Sequence, residues 1–236
     1  AVGRDREGDE LVEACEALGC TTSYIYRSED LPTDNYMAVE GANGLIAAIA
    51  DAHSLEQAGA RILAPLRDGT LGSSTAPYAG SVALDGNLTE SLLDEIARDP
   101  GLAAADLRIA PASPGKAERL LPFLRARRGV LYVNLEEAGI LCQDSFDSAP
   151  EAAARLIERG AARAVVTDGG ATACDASPDG LVAERPPEVL VTRVTGAGDT
   201  FMAAHIVAER AGAGRAEALD SALAAAAAYV SGDIAT

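Results

Sequence analysis

The chain has 236 residues, of which 48% are hydrophobic and 23% charged, a balance that supports one folded domain with a sizeable core. Its formal net charge of −17 would repel phosphate backbones and anionic lipid surfaces, so we expect neither a nucleic-acid partner nor a membrane. The four cysteines form no Cys-x-x-Cys pair, which argues against a zinc site and favours reduced thiols in a cytoplasmic protein.

The amino-terminal part of the chain predicts one helix followed by a small β patch. Apolar residues at helical spacing predict a helix over residues 9–18, which Gly19 ends. Short β-rich runs follow, separated by turn-forming residues; they cover residues 22–26, 35–39 and 45–49. We expect this patch, from about residue 21 to residue 50, to form a lid. Two copies of the chain could form a homodimer through their lids.

From residue 55 onward, predicted strands alternate with predicted helices. The predicted strands cover residues 81–84, 107–110, 130–133, 164–167, 181–182 and 189–194. The predicted helices cover residues 88–98, 115–127, 136–142, 150–159, 198–210 and 215–230. This alternation predicts an α/β fold with a mostly parallel sheet covered on both faces. In such a sheet, ligands bind beyond the carboxyl ends of the strands.

The strongest chemical signal is the segment TGAGDTF at residues 195–201. Its small residues end a β-rich run and precede a predicted helix. Backbone amides there can close around an anion, and the helix dipole adds partial positive charge. Asp199, in the first helical turn, is placed to take a proton from an attacking hydroxyl. A tight turn followed by a dipole-favoured carboxylate fits the same residues, so the motif alone leaves both interpretations open.

Together with three other segments, this motif resembles the PfkB (ribokinase-like) family of carbohydrate kinases. Residues 2–8 (VGRDREG) resemble the family's Gly-x-Asp-x-x-Gly segment, residues 134–138 (NLEEA) its Asn-x-x-Glu motif, and residues 165–169 (VVTDG) its nucleotide-site Thr-x-Gly. The resemblance covers essentially the whole chain. It implies a single ribokinase-like domain over residues 1–236. The family's glycine-rich first signature would precede Ala1, so an amino-terminal segment is expected to be lacking.

The resemblance implies a role for each matching residue. Phosphoryl transfer would use Asp199 as the catalytic base and the amides of Gly196, Ala197 and Gly198 as an anion hole. The ATP site would include Asn134, Thr167, Gly169 and Thr195. Glu137 would bind Mg²⁺ through water. Without the resemblance, we would interpret Glu137 as a solvated carboxylate at the start of a helix. Residues 167–169 would then form a turn that ends a strand.

Arg193 departs from the family pattern. Many members carry an Asp at this position, where it helps to bind a monovalent cation. A guanidinium cannot ligate K⁺, so the resemblance does not imply potassium activation here.

The substrate is inferred from motifs that are less diagnostic than TGAGD. A similarity to the pseudouridine-kinase branch of the family lies at residues 31–39, 48–51, 84–88 and 111–116. That similarity implies phosphorylation of the ribose 5′-hydroxyl of pseudouridine by ATP. The alternatives are a kinase for a free sugar such as ribose or fructose, and a non-catalytic nucleotide-binding relative. From the residues alone, Asn87 is a candidate helix cap, and Lys116 is a solvated helix residue or a phosphate ligand. The tyrosines of the predicted lid either stack on a base or pack between the lid strands or at a dimer contact; they are Tyr24, Tyr26 and Tyr36.

Overall fold

A computed structural model describes residues 1–41, 44–51 and 53–232. The strands are β1 (Val2–Gly3), β2 (Arg27–Ser28), β3 (Asn35–Gly41), β4 (Gly44–Asp51), β5 (Ser81–Asp85), β6 (Asp106–Ala110), β7 (Val130–Asn134), β8 (Arg163–Thr167), β9 (Ala173–Ser177) and β10 (Gly180–Glu184). The α-helices are α1 (Arg6–Ala17), α2 (His53–Ala58), α3 (Glu90–Arg98), α4 (Leu121–Ala126), α5 (Leu135–Cys142), α6 (Ala149–Glu158), α7 (Ala197–Arg210) and α8 (Arg215–Ser231). Short 3₁₀ segments cover Gly59–Leu66, Pro100–Leu102 and Pro114–Leu120.

The central sheet has the strand order β10-β9-β8-β7-β6-β5. Strands β5 to β8 are parallel, and β9 and β10 add an antiparallel hairpin at one edge. Side chains of β7 alternate between the faces: Leu131 and Val133 pack with helices α3 to α6, whereas Val130 and Tyr132 pack with α7 and α8. The predicted mostly parallel sheet with helices on both faces is therefore confirmed.

The lid is a hairpin of β3 and β4, which pair antiparallel beside the main sheet. The predicted strand over residues 22–26 is wrong: the nearby strand is β2, which pairs in parallel with β1 and not with the hairpin. Residues 42 and 43 of the predicted lid lie outside the described residues. Several apolar side chains of the hairpin are exposed, namely Tyr36, Met37, Val39 and Ile49. The homodimer contact through this lid stays a prediction.

Three further elements differ from the sequence prediction. Residues 189–194 form no strand, because β9 and β10 occupy the sheet edge and the Thr192 N–H donates instead to the Val230 carbonyl (2.8 Å). The helix predicted over residues 115–127 is a 3₁₀ segment followed by α4, with Pro122 in the first turn of α4. Strand β9 (ACDAS) was missed because its sequence lacks a strong β pattern.

None of the helices in the described ranges is both long and apolar enough to cross a lipid bilayer.

Candidate active site

A cleft of about 710 Å³ opens at the carboxyl ends of the parallel strands. The last residues of β5, β6, β7 and β8 line it, which are Asp85, Ala110, Asn134 and Thr167. The first turn of α7 and the lid also reach it. The predicted site residues that line this cleft are Asn134, Glu137, Thr167, Thr195, Gly196, Gly198 and Asp199. Predicted site residues from three distant stretches of sequence thus meet in one place.

The start of α7 depends on Gly196, the residue that caps this helix. Its φ of +91° lies in the left-handed region that glycine adopts without strain. A Cβ on Gly196 would lie 2.5 Å from the Tyr229 hydroxyl oxygen, and that hydroxyl donates to the Thr195 carbonyl (2.8 Å). The glycine therefore permits both the backbone turn and the close contact with α8.

Replacing Gly196 by Ala is expected to disturb the turn that presents Asp199. A left-handed Ala costs roughly 1–2 kcal/mol, and the contact with Tyr229 must also open. We expect denaturant unfolding to show a loss of about 1 kcal/mol or more, together with loss of any turnover. Gly214→Ala is the matched control, since Gly214 caps α8 with a φ of −70° and a Cβ there meets no atom within 4 Å. Equal unfolding curves for both variants would contradict this reading.

The first turn of α7 presents a carboxylate and backbone donors to the cleft. Asp199 is exposed, and Gly196 and Gly198 line the cleft beside it. The first N–H groups of a helix have no partner within the helix. The Ala197 N–H has a partner outside the helix, because it donates to the Val194 carbonyl (3.0 Å). Of the three amides predicted for the anion hole, that of Ala197 is therefore engaged in a turn.

Asn134 and Glu137 form a reciprocal cap at the start of α5. The Asn134 side-chain oxygen accepts from the Glu137 N–H (2.8 Å), and the Glu137 carboxylate accepts from the Asn134 N–H (2.9 Å). Glu137 is 7% exposed, so the interpretation as a solvated carboxylate is wrong, and burial raises the pKa of this carboxyl. The cap fixes both side chains at the edge of the cleft.

The donor set at this edge fits Mg²⁺ held through water. Within the described part of the chain, no group of three or more His, Cys, Asp or Glu side chains could enclose a metal ion. Mg²⁺ commonly keeps several waters and binds one or two carboxylates together with substrate phosphates. Glu137, a carboxylate that lines the cleft, matches that mode of binding.

A second, more open cleft of about 720 Å³ adjoins the first. The two clefts share Asn134 and Thr167, which are register partners on the neighbouring strands β7 and β8. Gly169 lines only the second cleft, whereas Thr195 lines only the first. The four residues predicted to hold a nucleotide are therefore divided between adjacent clefts.

The opposite end of the first cleft carries a chain of polar contacts that the sequence did not predict. The Lys116 ammonium donates to the Asn87 side-chain oxygen, and the Asn87 amide nitrogen donates to Asp85 (2.8 Å). Helix α3 is capped by Thr89 and not by Asn87. Lys116 is half-buried and lines the cleft, so its interpretation as a solvated helix residue is wrong.

A buried polar network lies directly beneath the cleft. Tyr132 lines the cleft, and its hydroxyl contacts the buried His205 Nδ1 (3.0 Å) and accepts from Arg108 (2.9 Å). Phe201, which also lines the cleft, stacks on the His205 ring with centroids 6.2 Å apart. Glu209, one turn further along α7, binds Arg108 (2.5 Å) and Arg163 (2.7 Å). The network ties α7 to the sheet, and its signals in the sequence are Tyr132 and Arg108, polar side chains within the buried strands β7 and β6.

Burial of His205 predicts a pH dependence of stability. His205 is 0% exposed, and desolvation lowers the pKa of its imidazole. Charged groups face it from every packed element: Glu209 and Asp175 raise this pKa, whereas Arg163 and Arg108 lower it. The unfolded chain therefore binds a proton that the folded chain does not, so stability falls as the pH drops below about 6.5.

We expect the free energy of unfolding to fall by roughly 1 kcal/mol between about pH 7.5 and pH 5.5 because of this one group. Urea unfolding at the two pH values measures it. His205→Asn should remove most of this component. His53→Gln should not, because His53 is exposed beside Asp51, which raises the pKa of its imidazole. A pH response that His205→Asn leaves unchanged would contradict the assignment.

Arg193 is bound at the carboxyl end of α8. Its Nε donates to the Tyr229 carbonyl (2.8 Å), and its guanidinium lies 3.9 Å from the centre of the Tyr229 ring. The Thr192 side chain donates to the neighbouring Val230 carbonyl (3.0 Å). A fixed cation therefore stands at the helix end, beside the segment that leads into the first turn of α7.

The fold and site define a class of protein. It is an α/β protein in which a helix N-terminus suited to binding an anion, and a carboxylate beside it, lie at the carboxyl ends of parallel strands. The sequence profile of the pfkB family carbohydrate kinases matches residues 1–233, so the chain belongs to that family. Members are phosphotransferases that act on alcohol groups of small sugars or nucleosides. No curated protein matches the chain.

Solved structures show the same fold. A carbohydrate kinase from Agrobacterium tumefaciens is 26% identical, with a TM-score of 0.76 and coverage of 96% of this chain and 71% of that one. Ribokinase from Arabidopsis thaliana, complexed with ribose and ATP, is 21% identical (TM-score 0.75; coverage 97% and 73%). Adenosine kinase from Trypanosoma brucei brucei is 16% identical (TM-score 0.77; coverage 98% and 73%). The predicted ribokinase-like fold is thereby confirmed.

Proposed function

We propose that this protein transfers the γ-phosphoryl group of ATP to a hydroxyl of a small sugar or nucleoside. One observation carries the proposal: Asp199 and the first turn of α7 open into the cleft that the strand ends also line. Phosphoryl transfer needs mainly positioning and charge stabilisation, which a helix start and a nearby carboxylate supply.

In the proposed reaction, the acceptor oxygen attacks the γ-phosphorus while its proton passes to the Asp199 carboxylate. The bond from the γ-phosphorus to the bridging oxygen of the β-phosphate breaks, and ADP leaves with the electron pair. Amides near Gly196 and Gly198, together with the α7 dipole, stabilise the charge on the transferred group. Asp199 is exposed to the cleft, so an acceptor hydroxyl can reach it.

The residues at the other strand ends would hold the nucleotide. We assign this role to Asn134, Thr167, Gly169 and Thr195, which line the two adjoining clefts. Glu137 would hold Mg²⁺ through water, and the ion supplies charge neutralisation for the phosphates when it is bound. The chain's own contribution is the buried cap that keeps Asn134 and Glu137 in place.

The favoured substrate is pseudouridine, phosphorylated at its 5′-hydroxyl. Residues from all four segments that resemble the pseudouridine-kinase branch line the cleft, among them Tyr36, Asp85, Asn87 and Lys116. A kinase for a free sugar such as ribose or fructose is the nearest alternative. A nucleotide-binding relative without turnover is the other, and the departure at Arg193 favours it.

An acceptor panel tests this proposal in the protein expressed from its complete open reading frame. ADP release from Mg-ATP is measured with pseudouridine, uridine, ribose and fructose in parallel. Turnover with pseudouridine alone is the expected result. Turnover with a sugar alone would keep the reaction and reject the favoured substrate. ATP binding without acceptor-dependent ADP release would reject the kinase in favour of the binding protein.

A further inference from the structure

The order of the strands divides the first cleft into two ends. The start of α7 packs over β7 and β8, where Phe201 contacts the cluster that includes Tyr132 and Val165. Asp85 ends β5, three strands away from Thr167 at the end of β8. Neighbouring strands lie about 4.8 Å apart, so these ends are separated by about 14 Å. If the nucleotide occupies the β8 end, as the proposed function requires, the β5 end faces the acceptor.

The orientation of Asn87 at this end is fixed by its neighbours. Its backbone N–H and its side-chain nitrogen each donate to an oxygen of Asp85 (2.8 Å in both cases). Its side-chain oxygen accepts from the Lys116 ammonium. A carboxylate only accepts and an ammonium only donates, so the amide cannot be reversed without losing both contacts. Asp85 thus orients Asn87, and Asn87 orients Lys116.

The loop that carries Asn87 is packed tightly against the segment that carries Lys116. A Cβ on Gly86 would lie 2.2 Å from the Pro111 carbonyl oxygen, and the Gly86 N–H donates to the Ala110 carbonyl (3.0 Å). Arg119 donates to the Gly86 carbonyl (3.1 Å). The ammonium is therefore presented by a preformed arrangement and not by a free side chain.

The charge of Lys116 is left available to a ligand. It is the one cationic side chain among the described residues that line the cleft, and it makes no ion pair within the described ranges. Asp85, Glu137 and Asp199 line the same cleft, so an anionic acceptor would meet three carboxylates. A neutral carbonyl oxygen accepts a charge-assisted hydrogen bond without that repulsion.

The lid adds an aromatic surface to the same cleft. Tyr36 lines it from β3 and is 60% exposed, so its ring is free to cover a planar group. An exposed aromatic ring, a fixed ammonium and a fixed amide together suit a heterocycle that carries carbonyl groups. A free sugar offers no planar face to the ring.

We propose that Lys116, oriented by Asn87, determines acceptor specificity by donating to a carbonyl oxygen of a nucleoside base. The acceptor is then a neutral nucleoside with a carbonyl-bearing base and not a free sugar. This inference rests on the proposed function, because it takes the β5 end of the cleft as the acceptor end.

Isothermal titration of the protein from the complete open reading frame tests the inference without turnover. The probes are pseudouridine, uridine and ribose, and the variant is Lys116→Met. Loss of a charge-assisted hydrogen bond should raise the Kd of a nucleoside about tenfold or more. The Kd of ribose, if it binds, should stay within about twofold, since ribose lacks the base. Arg125→Met is the matched control, because Arg125 is exposed on α4 and pairs with Glu90 outside the cleft.

Lys116→Arg keeps the charge and should retain most of the nucleoside affinity, which separates loss of recognition from loss of folding. The inference is overturned if neither nucleoside binds, if Lys116→Met binds both as the wild type does, or if ribose is weakened equally. Nucleosides that bind through Lys116 and are never phosphorylated would reject the kinase, and recognition of the base by Lys116 would stand without it. Phosphorylation of ribose alone, without nucleoside binding, would support the kinase and reject this inference.

Discussion

Replacing Asp199 by Asn is expected to lower kcat for phosphoryl transfer by about 10²–10⁴-fold, the usual contribution of a general base. The amide keeps the shape of the side chain and cannot take the proton of the acceptor hydroxyl. ATP affinity should change little, because the backbone at Gly196 and Gly198 is unaltered. Initial rates of ADP release and equilibrium binding of ATP measure the two effects separately.

Asp220→Asn is the control for this substitution. Asp220 is exposed on α8 and does not line the cleft, so the same loss of charge should leave the rate unchanged. If Asp199→Asn retained the wild-type rate, another group would have to accept the proton and the assignment of Asp199 would be wrong.

Replacing Asp175 by Asn is expected to lower the free energy of unfolding by about 3–5 kcal/mol, the typical cost of breaking a buried ion pair. Asp175 is 0% exposed at the centre of β9. Its carboxylate accepts from Arg163 (2.8 Å) and from Arg215 (3.0 Å), and these contacts hold its pKa below the usual range. The variant leaves both guanidinium groups without their full counter-charge.

The matched control lies in the same hairpin. Asp179 is exposed in the turn between β9 and β10, so Asp179→Asn should change stability by less than about 0.5 kcal/mol. Urea unfolding of the two variants gives the comparison. A small loss for Asp175→Asn would mean that the network beneath the cleft contributes little to holding α7 and α8 on the sheet.

Local sequence patterns predicted the part of the site that depends on strand and helix ends. The TGAGD motif marks the start of α7, because glycine at a helix cap and an acidic residue in the first turn are local requirements. Asn134 and Thr167 end buried strands, and parallel neighbours bring such ends together. The alternation of strands and helices therefore sufficed to place these residues at one edge.

Contacts between distant segments could not be predicted in this way. Lys116 meets Asn87 because the loops after β5 and β6 pack closely at Gly86, which no local pattern encodes. Strand β9 carries Asp175 in a short run of small residues, and its partners Arg163 and Arg215 come from β8 and α8. The run at 189–194 has β propensity but is bound by the end of α8 instead.

The central claim is that the start of α7 is a phosphoryl-transfer centre, and transfer of a labelled phosphoryl group tests it most directly. The protein is incubated with ATP carrying ³²P in the γ-position and with pseudouridine, uridine, ribose or fructose, and the products are separated. We expect label on an acceptor with the wild type and none with Asp199→Asn. Label that remains in ATP, or that appears only as inorganic phosphate with every acceptor, would contradict it.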